Sequence, residues 1–381
     1  MATRVEVSPT LLAWASERSG RDPQDLGEKF PKLGAWASGD IRPTLKQLEN
    51  FARATDTPVG FLLLDEPPDE RLPVPDFRTI PRGASSRPSP NLLDTIFLCE
   101  QRQEWYRGYL RANGAARLAF VGSLGLKTDT TKAAKRIQEQ LDFGLAARRE
   151  MSSWSEALRE FAERAEDSGV LVMINGVVGS NTHRKLDPDE FRGFALVDDT
   201  APVVFVNGAD TKAAQIFSLA HELAHVWLGK PALSNARLDM KPDQSVERWC
   251  NTVAAELLVP MEALRTEFSK QAILQDEVSR LARLFRVSTL VLLRRVFDAG
   301  YLNWSDYQAA FRQELSRITE KKRATGGDFY KTQPVRTSKR FTRAVVADTL
   351  EGRTLHRDAF QMLGIRKHET FTELGERLGV L

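Results

Sequence analysis

The chain has 381 residues, 42% hydrophobic and 28% charged, with a net charge of +3. That length suggests two to three domains with ample room for cores, and so small a charge gives no global argument for a nucleic-acid partner. No apolar run approaches the ~20 residues needed to span a bilayer, and Met1–Glu6 lacks a signal peptide's apolar stretch, so a cytoplasmic protein with no membrane partner is expected.

Residues 1–66 read as one domain, with short helices from 8 to 64. Ser8-Pro9 is an N-cap followed by proline at the first helical position, and leads into Leu11-Leu12-Ala13-Trp14-Ala15. Leu26 and Phe30 mark a second segment, and Trp36 to Asp40 follow. Pro43-Thr44 opens a helix with Leu45, Leu48, Phe51 and Ala52 at helical spacing. The order resembles a Cro/repressor-type helix-turn-helix domain, above all in Trp36-x-x-Gly39 and Pro43-Thr44-Leu45. That family normally has a longer stretch between the helix-two leucine and the tryptophan, to build a turn and a recognition helix. Here Leu26 and Trp36 are ten residues apart, and Pro31 and Gly34 interrupt the interval. DNA is therefore a doubtful partner, and a docking or dimerising unit is the first expectation.

Residues 67–90, rich in proline, serine and glycine, read as a linker. Within it Asp76-Phe77-Arg78 is either a short docking element or plain linker. Residues 91–168 are helical by pattern: Leu92, Ile96, Cys99, Trp105 and Tyr109 suggest one helix, Ala133–Leu141 another and Trp154–Ala165 a third. Three strand-like runs follow, Gly169–Asn175, Phe191–Val197 and Pro202–Asn207. Either of the last two could align an extended peptide by main-chain pairing. His183 falls in a polar loop, Ser180–Arg184, and reads as solvated; an oxyanion contact is the alternative.

The richest stretch is Ile216–Leu228, which contains His221-Glu222-Leu223-Ala224-His225 inside an apolar helical pattern. Two histidines four apart stand on one helix face, close enough for their ring nitrogens to hold one metal ion. Phe217, Ala220, Ala224, Trp227 and Leu228 form an arc that the histidines border, so the ion would sit at the edge of a core. Glu222 projects beside the pair, placed to act as a general base. A third ligand is needed. The downstream helix, Ser245–Val259 before Pro260, carries Val246, Cys250, Val253, Ala254, Leu257 and Leu258 in one arc. Glu247 lies on the border of that arc. Glu256 is nine residues on, about 180° around, and is expected to face solvent. Glu247 is thus the better ligand, with Asn251 one turn later to support a ligand by hydrogen bonding. Cys250, on the apolar face, and the distant Cys99 are expected as reduced thiols. Two imidazoles, one carboxylate and an open position suit zinc, and with Glu222 as base the fitting chemistry is amide hydrolysis.

The run Phe217–His225, followed by Glu247-Arg248-Trp249-Cys250-Asn251 and Ala254–Pro260, resembles the ImmA/IrrE family of bacterial metallopeptidases over roughly residues 169–300. The resemblance implies zinc held by His221, His225 and Glu247, catalysis by Glu222, and thermolysin-like topology, with Asn251 standing where thermolysin-like enzymes tend to have Asp. It also implies a helix-turn-helix repressor as the protein substrate, in stress response or mobile-element control. The expected fold is α+β, mostly helical, with a small β-sheet beside a zincin-like core. That core occupies 169–320 with its following helices, Leu281 to Val296 among them. Residues 321–381 then form a basic connector and a small C-terminal helical unit around Ala359, Met362, Leu363 and Ile365. From Lys321 to Arg343 there are eight basic residues against one acid, Asp328, which suits a solvated, flexible connector or contact with an acidic partner or nucleic acid. The competing reading is a DNA-binding regulator or antitoxin-like module that uses the peptidase fold for interaction; the intact Glu222 favours the enzyme.

Overall fold

The computed structural model describes residues 3–70, 72, 74–76, 88–234, 245–320 and 335–380. Phe77, Arg78 and the basic run 321–334 lie outside them. Two compact units emerge, one of residues 1–73 and 80–97, the other of 74–79 and 98–381.

The first unit is built of helices α1 (Pro9–Arg18), α2 (Pro23–Lys29), α3 (Leu33–Ala37) and α4 (Leu45–Ala54), then a 3-10 turn, Val59–Leu63. Local chemistry sets the boundaries. Asp22 accepts from the Gln24 N–H ahead of α2, and Thr44 and Gln47 form a reciprocal capping box at α4. Leu11, Leu12, Ala15, Trp36, Leu48, Phe51 and Leu62 bury one small core. α3 has only five residues, little more than one turn, because Pro31 and Lys32 occupy the turn that precedes it.

α5 (Pro90–Ala112) has residues 90–97 in the first unit and 98–112 in the second. α6 (Thr130–Leu141), α7 (Leu145–Glu150) and α8 (Trp154–Asp167) follow. Five strands come next: β1 (Leu171–Asn175), β2 (Val177–Val178), β3 (Asn181–Lys185), β4 (Gly193–Leu196) and β5 (Val203–Asn207). α9 (Lys212–Leu228) precedes β6 (Ala232–Ser234) and α10 (Ser245–Leu258). The main sheet has the order β1-β5-β4-β6, with β1 and β5 parallel and β4 antiparallel to both its neighbours. Every residue of β1, β4, β5 and β6 is buried, which explains the unbroken apolar runs of these strands. The expected substrate-aligning edges require correction. β5 lies between β1 and β4, and β4 between β5 and β6, so neither has a free edge. His183 also differs from expectation: it is exposed, on β3 of a two-stranded hairpin with β2, because Asn181–Lys185 finds a pairing partner.

α9 runs through the centre of the unit, against α8, α10, β4 and β5. It ends at Gly229, whose φ of 70° is left-handed and whose Cβ, if present, would meet Gly122 Cα at 2.8 Å. α10 ends on two buried arginines. Arg148 donates to the carbonyls of Leu257, Leu258 and Phe285 at 3.1, 2.7 and 3.0 Å, and Arg295 donates to that of Val259 at 3.0 Å. Four further helices, α11 (Met261–Glu267), α12 (Leu274–Phe285), α13 (Thr289–Asp298) and α14 (Trp304–Glu320), complete the core with Leu281, Phe285, Val287 and Val296. The C-terminal helices α15 (Lys339–Leu350), α16 (His356–Leu363) and α17 (His368–Arg377) bury Val345, Leu363, Phe371 and Leu374. Cys99 and Cys250 are free and buried. No helix among the described residues is long and apolar enough to cross a membrane. The architecture is α+β, mostly helical, with a small mixed sheet.

Candidate metal centre

The helical phase of α9 carries His221 and His225 to one face, and α10 brings Glu247, in its first turn, against them. The Nε2 atoms of the two histidines are 3.1 Å apart. Glu247 lies 3.2 Å from His221 Nε2 through Oε2 and 3.0 Å from His225 Nε2 through Oε1. Among the described residues these three form the group of side chains able to hold a metal ion.

Orientation comes from the other ring nitrogens. His225 Nδ1 is 3.2 Å from the Lys230 carbonyl, an acceptor only, so Nδ1 carries the proton and Nε2 presents a lone pair. Asn251 adds a polar contact to His221, looser than a well-aligned hydrogen bond. A lone pair and a carboxylate converging at about 3 Å call for a cation. The spacing also suits one: donors at tetrahedral angles and about 2.0–2.1 Å from a zinc ion stand roughly 3.3 Å from each other.

Charges inside the group respond to one another. Burial opposes ionisation of Glu247, yet His221 and His225 hold it at about 2. Burial likewise opposes the charged form of His221, but the carboxylates of Glu247 and Glu222 outweigh it and raise the ring's pKa. His225 is lowered, chiefly by burial. Glu222 is pushed up to about 8 by burial, with His221 pulling the other way, Glu247 adding to the rise and a Ser234 hydrogen bond resisting it. Positive charge at the three donors works against that rise. Glu222 Oε2 is buried without a hydrogen-bond partner.

Glu256 corrects a second expectation. It does stand away from the histidines, but it is buried, paired with Arg295 of α13, which covers that side of α10. Two residues at the site carried no signal in the sequence. Gly193 of β4 leaves room for Glu222, since a Cβ there would lie 2.9 Å from Glu222 Cγ and Oε1. Ser234 of β6 places its Oγ 3.2 Å from His221 Nε2. His183 is on the outer hairpin, exposed, and no contact ties it to the group.

A helix carrying His-Glu-x-x-His, packed under a small mixed sheet and joined by a glutamate from the next helix, makes a zincin-like domain. Residues 165–297 match the family model of the IrrE N-terminal-like domain, which supports an ImmA/IrrE-type metallopeptidase domain in this chain. Residues 337–377 match a domain of unknown function, DUF8813. No curated protein matches the chain.

Proposed function

We propose that this chain is a zinc-dependent endopeptidase that cleaves an intracellular protein, a helix-turn-helix repressor, in stress response or mobile-element control. The observation that carries the reading is the convergence of His221, His225 and Glu247 within 3.2 Å of one another, with the buried carboxylate of Glu222 beside them. Two imidazoles and a carboxylate are the donor set of a hydrolytic zinc site with an open fourth position. Zinc in that set supplies Lewis acidity, which brings water near neutrality and polarises a carbonyl oxygen.

The remaining work belongs to the chain. Lys230, through its carbonyl, fixes the ring of His225, and Asn251 stands beside that of His221. Glu222 takes a proton from the attacking water and returns it to the leaving amine. Its burial removes competing hydrogen bonds and favours the neutral acid once the proton is taken. The enclosing core excludes bulk water, which strengthens every charge interaction in the site.

Linkers between a repressor's DNA-binding and dimerising parts are exposed and locally unstable, and so supply the extended segment that hydrolysis needs. Co-expression of the chain with helix-turn-helix proteins encoded beside it tests the reading. One discrete fragment of a single partner, present with the natural chain and absent with Glu222→Gln, is expected. No fragment from any partner, with zinc bound, would favour a binding module in its place.

A further inference from the structure

His221 and His225 are fully buried, and Glu222 and Glu247 are 1% and 6% exposed, so a peptide has no way to the donors in this arrangement. The cover is β6. Its residues pair antiparallel with β4, Ser234 opposite Gly193, Leu233 opposite Phe194 and Ala232 opposite Ala195. On the far side the Leu233 N–H donates to the Pro75 carbonyl at 3.0 Å, and Asp76 forms a parallel bridge to Leu233. Ser234 Oγ lies 3.2 Å from His221 Nε2 and close enough to Glu222 to hold down the rise of its pKa. A hydroxyl held between a ring nitrogen of the donor group and the general base stands where an attacking water must stand.

We propose that β6 is a built-in occupant of the substrate cleft: the Ser234 hydroxyl takes the water's place, and the Ala232–Ser234 backbone takes the place of a peptide strand along β4. This rests on the metallopeptidase reading and adds to it both a seat for the substrate and the chain's own means of closing it. An incoming strand replaces the main-chain hydrogen bonds of β6 in kind, so side-chain fit decides the exchange. Ala232, Leu233 and Ser234 are all fully buried. The segment able to displace them is therefore extended, with an aliphatic residue at the place of Leu233 and small residues on either side. Gly193, the register partner of Ser234, sets the end of that segment next to Glu222.

The test ties β6 down. Ala195→Cys with Ala232→Cys puts thiols at register partners, so oxidation fastens β6 to β4 and reduction frees it. The full chain is loaded with zinc and offered a fluorescein-labelled Ala-Leu hydroxamate, whose chelating end takes the place of Ser234. Binding is followed by anisotropy, and zinc release by transfer to a chromophoric chelator. The oxidised form should bind the probe at least about tenfold more weakly than the same protein reduced, because its open fraction is removed, and it should release zinc correspondingly more slowly. Equal affinity and equal release in both forms would overturn the proposal. Should the double variant fail to fold, Ser234→Ala decides: a several-fold gain in probe affinity supports the proposal, and no gain overturns it. A chain that binds no zinc in any form would instead overturn the metallopeptidase reading, and the role of β6 with it.

Discussion

At the scale of single residues, Gly193 and Glu222 depend on each other. A Cβ at position 193 would lie 2.9 Å from two Glu222 atoms and 2.9 Å from the Phe205 carbonyl oxygen. The side chain could give way, but the strand carbonyl cannot. Gly193→Ala should therefore destabilise by roughly 1–3 kcal/mol, as overpacking does, and turn Glu222 away from the donors. A lowered Tm together with lost hydrolysis and retained zinc is the expected result; an unchanged Tm would refute the packing argument. Glu222→Gln should keep its zinc and lose hydrolysis by a factor on the order of 10² or more, as for removal of a positioned base; full hydrolysis by that variant would end the assigned mechanism. The pairing of His221 with His225 was legible in the sequence because helical period puts residues four apart on one face. Gly193 and Ser234 were not, since a strand residue's neighbours depend on pairing that local sequence does not encode.

At the scale of elements, α10 is a helix with two acidic sides. Glu247 faces the metal group, and Glu256, nine residues on, pairs with Arg295. Periodicity gave the direction of Glu256 correctly but not what lies there: α13 covers that face, and Arg295 brings the charge that permits burial. The side chains of Glu256 and Arg295 are 11% and 4% exposed. Glu256→Ala should thus retain metal yet cost about 3–5 kcal/mol, because Arg295 is left buried without its partner. Urea unfolding measures the loss, and a change below about 0.5 kcal/mol, as at a surface site, would contradict it. The same limit applies to β4 and β5. Their apolar runs identified them as strands, but which strands would lie beside them depended on β6, three residues long and with no pattern of its own.

At the scale of the whole chain, the C-terminal helices meet the zincin-like domain through a buried acid. Glu166 of α8 is pushed up to about 7 by burial, against hydrogen bonds from Ser338 and the N–H groups of Lys339 and Arg340. Its folded value lies above the ordinary 4.5, so the folded state holds the proton more tightly. The associated stability is full below about pH 4.5 and is lost as pH rises through about 7. The loss is on the order of 3 kcal/mol. Thermal unfolding followed from pH 5 to pH 8 should show the natural chain weakening more steeply than Glu166→Gln, which keeps only the contribution of Glu222; parallel curves would contradict the assignment. None of this was legible beforehand, because the partner of Glu166 begins about 170 residues downstream and only folding brings them together.

The central claim is that His221, His225 and Glu247 hold one catalytic zinc ion, and metal content tests it most directly. Elemental analysis of the purified chain should give about one zinc per molecule. His221→Ala and Glu247→Ala should lose most of it, and Glu256→Ala should keep it. Full zinc in Glu247→Ala, or loss in Glu256→Ala with the fold intact, would contradict the account.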